Sequence, residues 1–563
     1  MNSRHRKGGP VGGAERLRAL ILPTVNGKLL TVNGLLLTAF CLLISTVAGA
    51  QDMSSQYAQS ITPQDLERHL RVIAHDSLQG RDTGSPGQKK AADYVMNYFK
   101  SLGLQPIIPT SDGVKSYFQP YSLYQKAWGE VYLATDKQRY AWQQDFFLSG
   151  LVNVLSEEKI PVIFAGYGIE SDKYDDYKGL DVKDKAVIVL EGEPKNANGQ
   201  FLVSGDATAS KWSNDATAWQ RKVILARNKG AKYVLIVSDL KGDEFRQQVA
   251  KRSAMTQRFN RLSMRPYNEN ISGNAAFTIS RQMALELLKI KEKALAKAEK
   301  STLTTGKTCA GRFKERTLAI KAERKDDIVS TENVLGFLEG TDKKDEVVVI
   351  TAHLDHIGIS PNGEINNGAD DDGSGTVSIL ELAEAFAKAK AAGHGPRRSI
   401  LFMTVTGEEK GLFGSEYYTS NPVIPLKQTV CNLNIDMIGR IDEAHKNNAQ
   451  YVYLIGSDKL SSELHAISED ANTRYINYQL DYTYNNPSDP NRFYYRSDHY
   501  NFAKNKVPVI FYFTGVHEDY HRPGDDVEKI MFDKQAKIVQ LVFHTAWELT
   551  NREQRIKVDS NKP

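Results

Sequence analysis

Apolar positions along the chain fall into three textures. Between Thr62 and Gln105 they recur at helical spacing. Asp65-Leu66-Glu67-Arg68-His69-Leu70 opens one amphipathic stretch. After a Gly/Pro break from Gly80 to Gly87, Ala91, Tyr94, Val95, Tyr98, Phe99 and Leu102 follow i, i+3, i+4, i+7 until Gly103. Between about 125 and 300 the pattern turns to short β-branched runs bounded by turn residues: 161–166, 186–190 and 233–237. Lys241 to Asn274 is polar and weakly patterned, which predicts a long loop, and Arg281 to Lys300 predicts an exposed helix and a return connection. From about 328, continuous apolar strands (346–351, 399–406, 430–436, 507–514) alternate with helical segments such as 376–392. That alternation predicts an α/β fold: a mainly parallel central sheet flanked by helices, with a β-rich segment inserted into it.

The N-terminal fifty residues have a different pattern. Basic residues precede an apolar run of about 17 residues, which ends in Ala48-Gly49-Ala50 before polar Gln51-Asp52. This predicts a cleaved export signal and a periplasmic or secreted protein with no membrane span after cleavage. Charge supports the division. Taking the six basic residues and one acid of 1–50 from totals of 72 and 68 leaves 66 basic against 67 acidic residues. A nucleic-acid binder would keep a basic excess in its folded part. Cys309 and Cys431 alone follow the signal, which gives no disulfide framework and predicts two inert thiols.

The candidate chemistry sits where the late strands end. His353-Leu354-Asp355-His356 follows the first, Asp370-Asp371-Asp372-Gly373-Ser374-Gly375 precedes the next helix, and Glu408-Glu409 follows the third strand. Asp436 follows the fourth, and His517 to His521 follow the fifth. Ligands in open α/β sheets bind at such carboxyl ends. The acid triplet does not alternate as a calcium loop does. Imidazole and carboxylate ligands suit zinc, and two zinc ions need a bridging carboxylate, two further ligands each and a free carboxylate as proton acceptor. The chain offers His353, Asp370, Glu409, Asp436 and His521 as ligands, with Glu408 as base. Arg440 and Arg492 are candidates to hold a substrate carboxylate. His499 reads as structural, and His356 and His517 as outer or solvent-facing groups.

The order His353-x-Asp355, Gly368 to Gly375, Glu408-Glu409, Asp436 and Tyr520-His521 resembles the M28 family of di-zinc metallopeptidases, over about residues 62–125 and 328–550. Ser77 to Ser85 is similar to that family's opening segment. Phe164 to Gly168 with Asp176 to Gly179 resembles a protease-associated (PA) domain. The resemblance implies a division into 1–50 (signal), 51–125, an inserted PA-like domain at 126–325, and 326–555 with the metal site. It implies two zinc ions per chain bridged by Asp370, with His353 and Asp436 on one and Glu409 and His521 on the other. Glu408 is then general base, Asp355 orients His353, Tyr520 stabilises the oxyanion, and the Asp370–Asp371 bond is cis. The implied function is an exported aminopeptidase acting on peptides. The alternatives are a carboxypeptidase or dipeptidase of the same site and a non-catalytic binding ectodomain, which would have lost ligands.

Overall fold

The computed structural model describes residues 53–258, 261–266 and 275–560. The expected export signal lies outside the described residues. Residues 53–58 are helical, and residues 61–563 form a separate unit. No described helix is long and apolar enough to cross a membrane.

Helix α1 (Pro63–Ile73) starts where Thr62 accepts a hydrogen bond from the Asp65 N–H and Pro63 presets the first turn. Helix α2 (Pro86–Ser101) repeats the device with Ser85 and Pro86. Their apolar stripes, Leu66, Leu70 and Ile73 and then Ala91, Val95 and Phe99, are buried as the spacing requires.

The chain then enters the long strand β1 (Phe118–Ala134). Strands β2 (Val154–Phe164), β3 (Ala186–Leu190), β4 (Tyr233–Val237) and β5 (Ala276–Ile279) follow, with helix α3 (Ala218–Asn228) between β3 and β4. The stretch read as a loop from Lys241 contains helix α4 (Gly242–Arg258). Its first turn carries Asp243 and Glu244, and Phe245 and Val249, one turn apart, pack on Phe147. Two apolar residues in a polar run were too faint a period to reveal it. Arg281 to Lys300 is likewise two helices, Arg281–Leu288 and Glu292–Thr305, and the first buries Met283, Leu285, Leu287 and Leu288 rather than lying exposed.

The return strand β6 (Arg316–Leu338) runs antiparallel to β1 along most of its length and also pairs with β2. Beyond it come β7 (Lys343–His353), helix α5 (Gly375–Ala391), β8 (Arg398–Val405), β9 (Thr429–Ile435), β10 (Tyr451–Ile455), β11 (Val509–Phe513) and helix α6 (Phe532–Asn551). The sheet order is β10-β11-β9-β7-β8-β6-β2-β3-β4-β5. Its centre is parallel (β8-β7-β9-β11), as the continuous apolar strands imply, while β6 and β10 join antiparallel. A second parallel set, β2-β3-β4-β5, lies on the far side of β6. One sheet therefore presents two rows of parallel carboxyl ends. Cys309 and Cys431 are both free and buried.

Candidate metal centre

The side chains following β7, β8, β9 and β11 converge with the loop before α5. That loop, Gly368 to Gly375, is held by side chains bonded to its main-chain groups. The carboxylate of Asp525 accepts from the N–H groups of Asp370 and Asp371 at 3.0–3.1 Å. Asp372 accepts from the N–H groups of His353 at 3.0 Å and Gly375 at 2.8 Å. Ser374 donates back to the Asp370 carbonyl. Gly368 has φ +58°, and a Cβ there would meet the Asp371 carbonyl at 2.3 Å.

Beneath the loop lies Arg81, only 1 % exposed. It donates to the carbonyls of Ile73 (2.6 Å), Leu354 (2.8 Å), Asn367 (2.7 Å) and Gly368 (3.0 Å). Burial lowers its guanidinium to about 10, opposed by the nearby Asp371, Asp372, Asp525 and Asp355. The ligand loops are thus clamped by a cation from the opening segment, a role the sequence pattern did not reveal.

The structure corrects the acid triplet. Asp371, not Asp370, faces the imidazoles: one oxygen lies 3.2 Å from His353 Nε2 and the other 3.1 Å from His521 Nε2. Asp370 turns away; its Oδ1 accepts from the Gly439 N–H at 2.6 Å and its Oδ2 faces His517 at 3.4 Å. The cis bond is Asp371–Asp372. Three consecutive aspartates carry no period that could rank them, so only the backbone path decides which one points inward.

Around Asp371 stand two sets. His353 Nε2 is 3.6 Å from Asp436 Oδ1, and Glu409 is 3.0 Å from His521 Nε2. His356, read as an outer or solvent-facing group, is fully buried, with Nδ1 2.8 Å from Glu409 Oε1. Asp372 belongs to the first set by distance, but both its oxygens are taken by backbone N–H groups. Asp371 Oδ2 and Glu409 Oε1 are buried and make no hydrogen bond although imidazoles stand within 3.1 and 2.8 Å. Lone pairs facing lone pairs around a common point are what a cation resolves. The donor set, imidazole plus carboxylate with Asp371 shared, fits two divalent ions.

Glu408 borders this centre, its carboxylate 3.9 Å from His353 Nε2. Burial pushes its carboxyl well above the usual carboxylate range; His353 opposes this, and Glu409 and Asp436 add to it. Asp355 is buried, and its carboxylate accepts from Thr83 Oγ1 (2.7 Å) and the Glu408 N–H (3.2 Å). His353 Nδ1 lies 2.9 Å from the Asp355 carbonyl and 4.0 Å from its carboxylate. A polar line through the sheet fixes Asp436: Ser497 donates to it at 2.6 Å, and Asn434 donates to Ser497 at 2.9 Å. Tyr520 stacks on His521, ring centroids 3.9 Å apart, and its hydroxyl accepts from Arg496 at 3.3 Å. Of the arginines proposed to hold a carboxylate, Arg440 is matched by Glu518 and Asp519, and Arg492 lies over the Tyr495 ring. His499 is buried and stacks on Phe511.

Comparison with known proteins places this geometry in context. Residues 333–546 match the model described as Peptidase family M28. The chain is 27% identical over 306 residues to "Aminopeptidase YwaD" of Bacillus subtilis, covering 53% of this chain and 57% of that protein. It is 32% identical over 214 residues to a "Probable leucine aminopeptidase" of Arthroderma benhamiae, covering 37% and 55%. It thus spans little more than half the length of these relatives. Among solved structures it is similar to the aminopeptidase from Aneurinibacillus sp. strain AM-1, with TM-score 0.44 and 17% identity over 91% of this chain and all of that one.

Proposed function

We propose, from the match of residues 333–546 to the Peptidase family M28 model, that this chain is a di-zinc aminopeptidase that removes N-terminal residues from peptides. The observation that carries this reading is the Asp371 carboxylate held between His353 and His521 with Glu408 at its edge. His353 and Asp436 would hold one zinc, Glu409 and His521 the other, and Asp371 both. His356 stands behind Glu409, where it fixes that carboxylate. When bound, the zinc pair supplies Lewis acidity, polarising the scissile carbonyl and acidifying a water.

The chain's own residues do the rest. Glu408 takes the proton at its carboxylate and returns it to the leaving amine, a task suited to a carboxyl that burial holds above the usual carboxylate range. Its backbone is fixed by Asp355, which makes Asp355 a positioning residue for the base as much as for His353. Tyr520, stacked on His521, would donate its hydroxyl proton to the developing oxyanion. The 126–325 segment acts as a PA-like domain, and residues 1–50 export the protein to the periplasm or medium.

The test is metal analysis of protein 51–563 together with a release assay on N-free, N-blocked and C-blocked peptides. Two zinc ions per chain and cleavage confined to free N-termini are expected. Cleavage of N-blocked peptides from the C-terminus would move the assignment to a carboxypeptidase. Absence of both metal and turnover after zinc addition would leave a binding protein. Sequencing the N-terminus of exported protein tests the signal.

A further inference from the structure

Two hollows meet at the metal centre. The smaller has one apolar wall, of Met437, Phe511, Phe513 and Val516, beside His353 and Asp436. The larger, about 760 Å³, runs past Glu409 and His521 toward Asp82, Lys410 and Arg261. Glu408, Arg496 and Tyr520 line both. If the smaller hollow takes the side chain of the residue to be released against its apolar wall, the remainder of the peptide lies in the larger one.

The charges of the larger hollow are unequal. Lys410 is 2.6 Å from Asp82, so each neutralises the other. Glu408 and Glu409 lie on the side of this hollow nearest the metal centre. Arg496 is exposed, and its contacts are with uncharged groups: the Tyr520 hydroxyl and, at 4.9 Å, the Phe493 ring. No carboxylate of the described residues forms a salt bridge with it. Arg496 lines both hollows with a ring beneath its guanidinium and a hydroxyl beside it, which leaves N–H groups to receive a carboxylate in two parallel hydrogen bonds.

We infer that Arg496 anchors a carboxylate on the leaving side of the substrate, which makes the preferred substrates short peptides with a free C-terminus or peptides acidic just past the scissile bond. The inference rests on the aminopeptidase reading. Each extended residue adds about 3.3 Å, so a C-terminus can reach Arg496 only from a short peptide, whereas an acidic side chain can do so at any length.

Zinc-loaded wild type, Arg496→Gln and Arg496→Lys should be assayed on two substrate pairs. The first is Leu-Ala-Ala as free acid and as amide; the second is Leu-Glu-Ala-amide and Leu-Gln-Ala-amide. Wild type should favour the charged member of at least one pair about tenfold in kcat/KM, through KM, as one exposed charge-assisted pair allows. Arg496→Gln should abolish that ratio while leaving the uncharged member within about twofold, and Arg496→Lys should recover part of it. The pair that responds identifies the carboxylate as terminal or side-chain. Equal loss on charged and uncharged peptides, through kcat, would overturn the inference and assign Arg496 to support of Tyr520. Equal rates on all four by wild type would overturn it and leave the aminopeptidase standing. No release from any of them would remove both.

Discussion

The two rows of parallel strand ends in this sheet carry similar residues and behave differently. After β3 and β4 come Glu191, Glu193 and Asp239, around buried Lys222 and a cavity of about 560 Å³. Here Lys222, Glu191 and Glu193 find their partners within the segment. Lys222 donates to the carbonyls of Leu190 (2.8 Å) and Gly192 (2.5 Å). Glu193 accepts from the backbone and hydroxyl of Ser210 and the hydroxyl of Ser213, and Glu191 accepts from Ser238 and the Asp239 N–H. At the other row, Asp371, Glu409 and His356 keep buried atoms without hydrogen bonds. Acids at strand ends therefore mark a site only when burial leaves them and facing imidazoles unsatisfied together. His499 shows that one orphaned imidazole is insufficient, because no carboxylate among the described residues forms an ion pair with it.

The largest separation between the rows should come from Glu408→Gln. Loss of the proton acceptor is expected to lower kcat by 10²–10⁴ with zinc content unchanged, whereas Glu191→Gln should leave kcat within about twofold. A Glu191→Gln protein as inactive as Glu408→Gln would erase the distinction. Next, Asp371→Asn should lower zinc content and reduce activity by about 10²-fold or more, while Asp370→Asn, whose amide oxygen still accepts from Gly439, should cost less than about tenfold. Metal analysis of both variants decides which aspartate bridges, and zinc loss in Asp370→Asn alone would restore the order the sequence suggested.

Lys222→Met should act on stability rather than turnover. It removes the donor to the carbonyls of buried Leu190 and half-buried Gly192, at about 1–3 kcal/mol in urea unfolding, with kcat unchanged. Burial lowers the Lys222 amine to about 8. From pH 8 to 10.5 the unfolded chain holds the proton the folded one releases, so this group's contribution to stability increases with pH, and Lys222→Met should flatten that slope. The smallest effect concerns His499, lowered to about 3 by burial. Below pH 6.5 the unfolded chain gains a proton that the folded one refuses. The wild type should lose about 0.8 kcal/mol from this group by pH 6, and His499→Phe should not. A steeper loss in His499→Phe than in wild type would show that the imidazole is charged in the fold.

The parallel core was legible because continuous apolar runs such as Val347 to Ile350 have few alternatives to a sheet covered on both faces, and each ligand-bearing loop was found where its strand ends. Strand β10 escaped because its Tyr451-Val452-Tyr453-Leu454-Ile455 run follows the polar stretch 442–450 and lacks a chemical residue to draw notice. Helix α4 escaped because only Phe245 and Val249 mark its buried face. Within the site, the identity of the bridging aspartate depends on backbone direction, which side-chain chemistry does not encode. Arg81 and Asp525 act through main-chain groups, and such partners leave no residue pattern. Arg496 was overlooked in favour of Arg440 and Arg492, since its role depends on which arginine finds no acid nearby.

The four carbonyls gathered by Arg81 bear on how this protein can be divided. Arg81 lies about 250 residues before the matched family segment at 333–546, yet two of its acceptors, Asn367 and Gly368, belong to the loop that presents Asp371. A fragment beginning at residue 333 would retain every ligand in its sequence and lack the buried charge that balances Asp371, Asp372, Asp525 and Asp355. The stretch that evolution keeps recognisable is thus shorter than the stretch that can stand alone. The smallest piece worth expressing in isolation begins before α1, not at the boundary where family likeness begins.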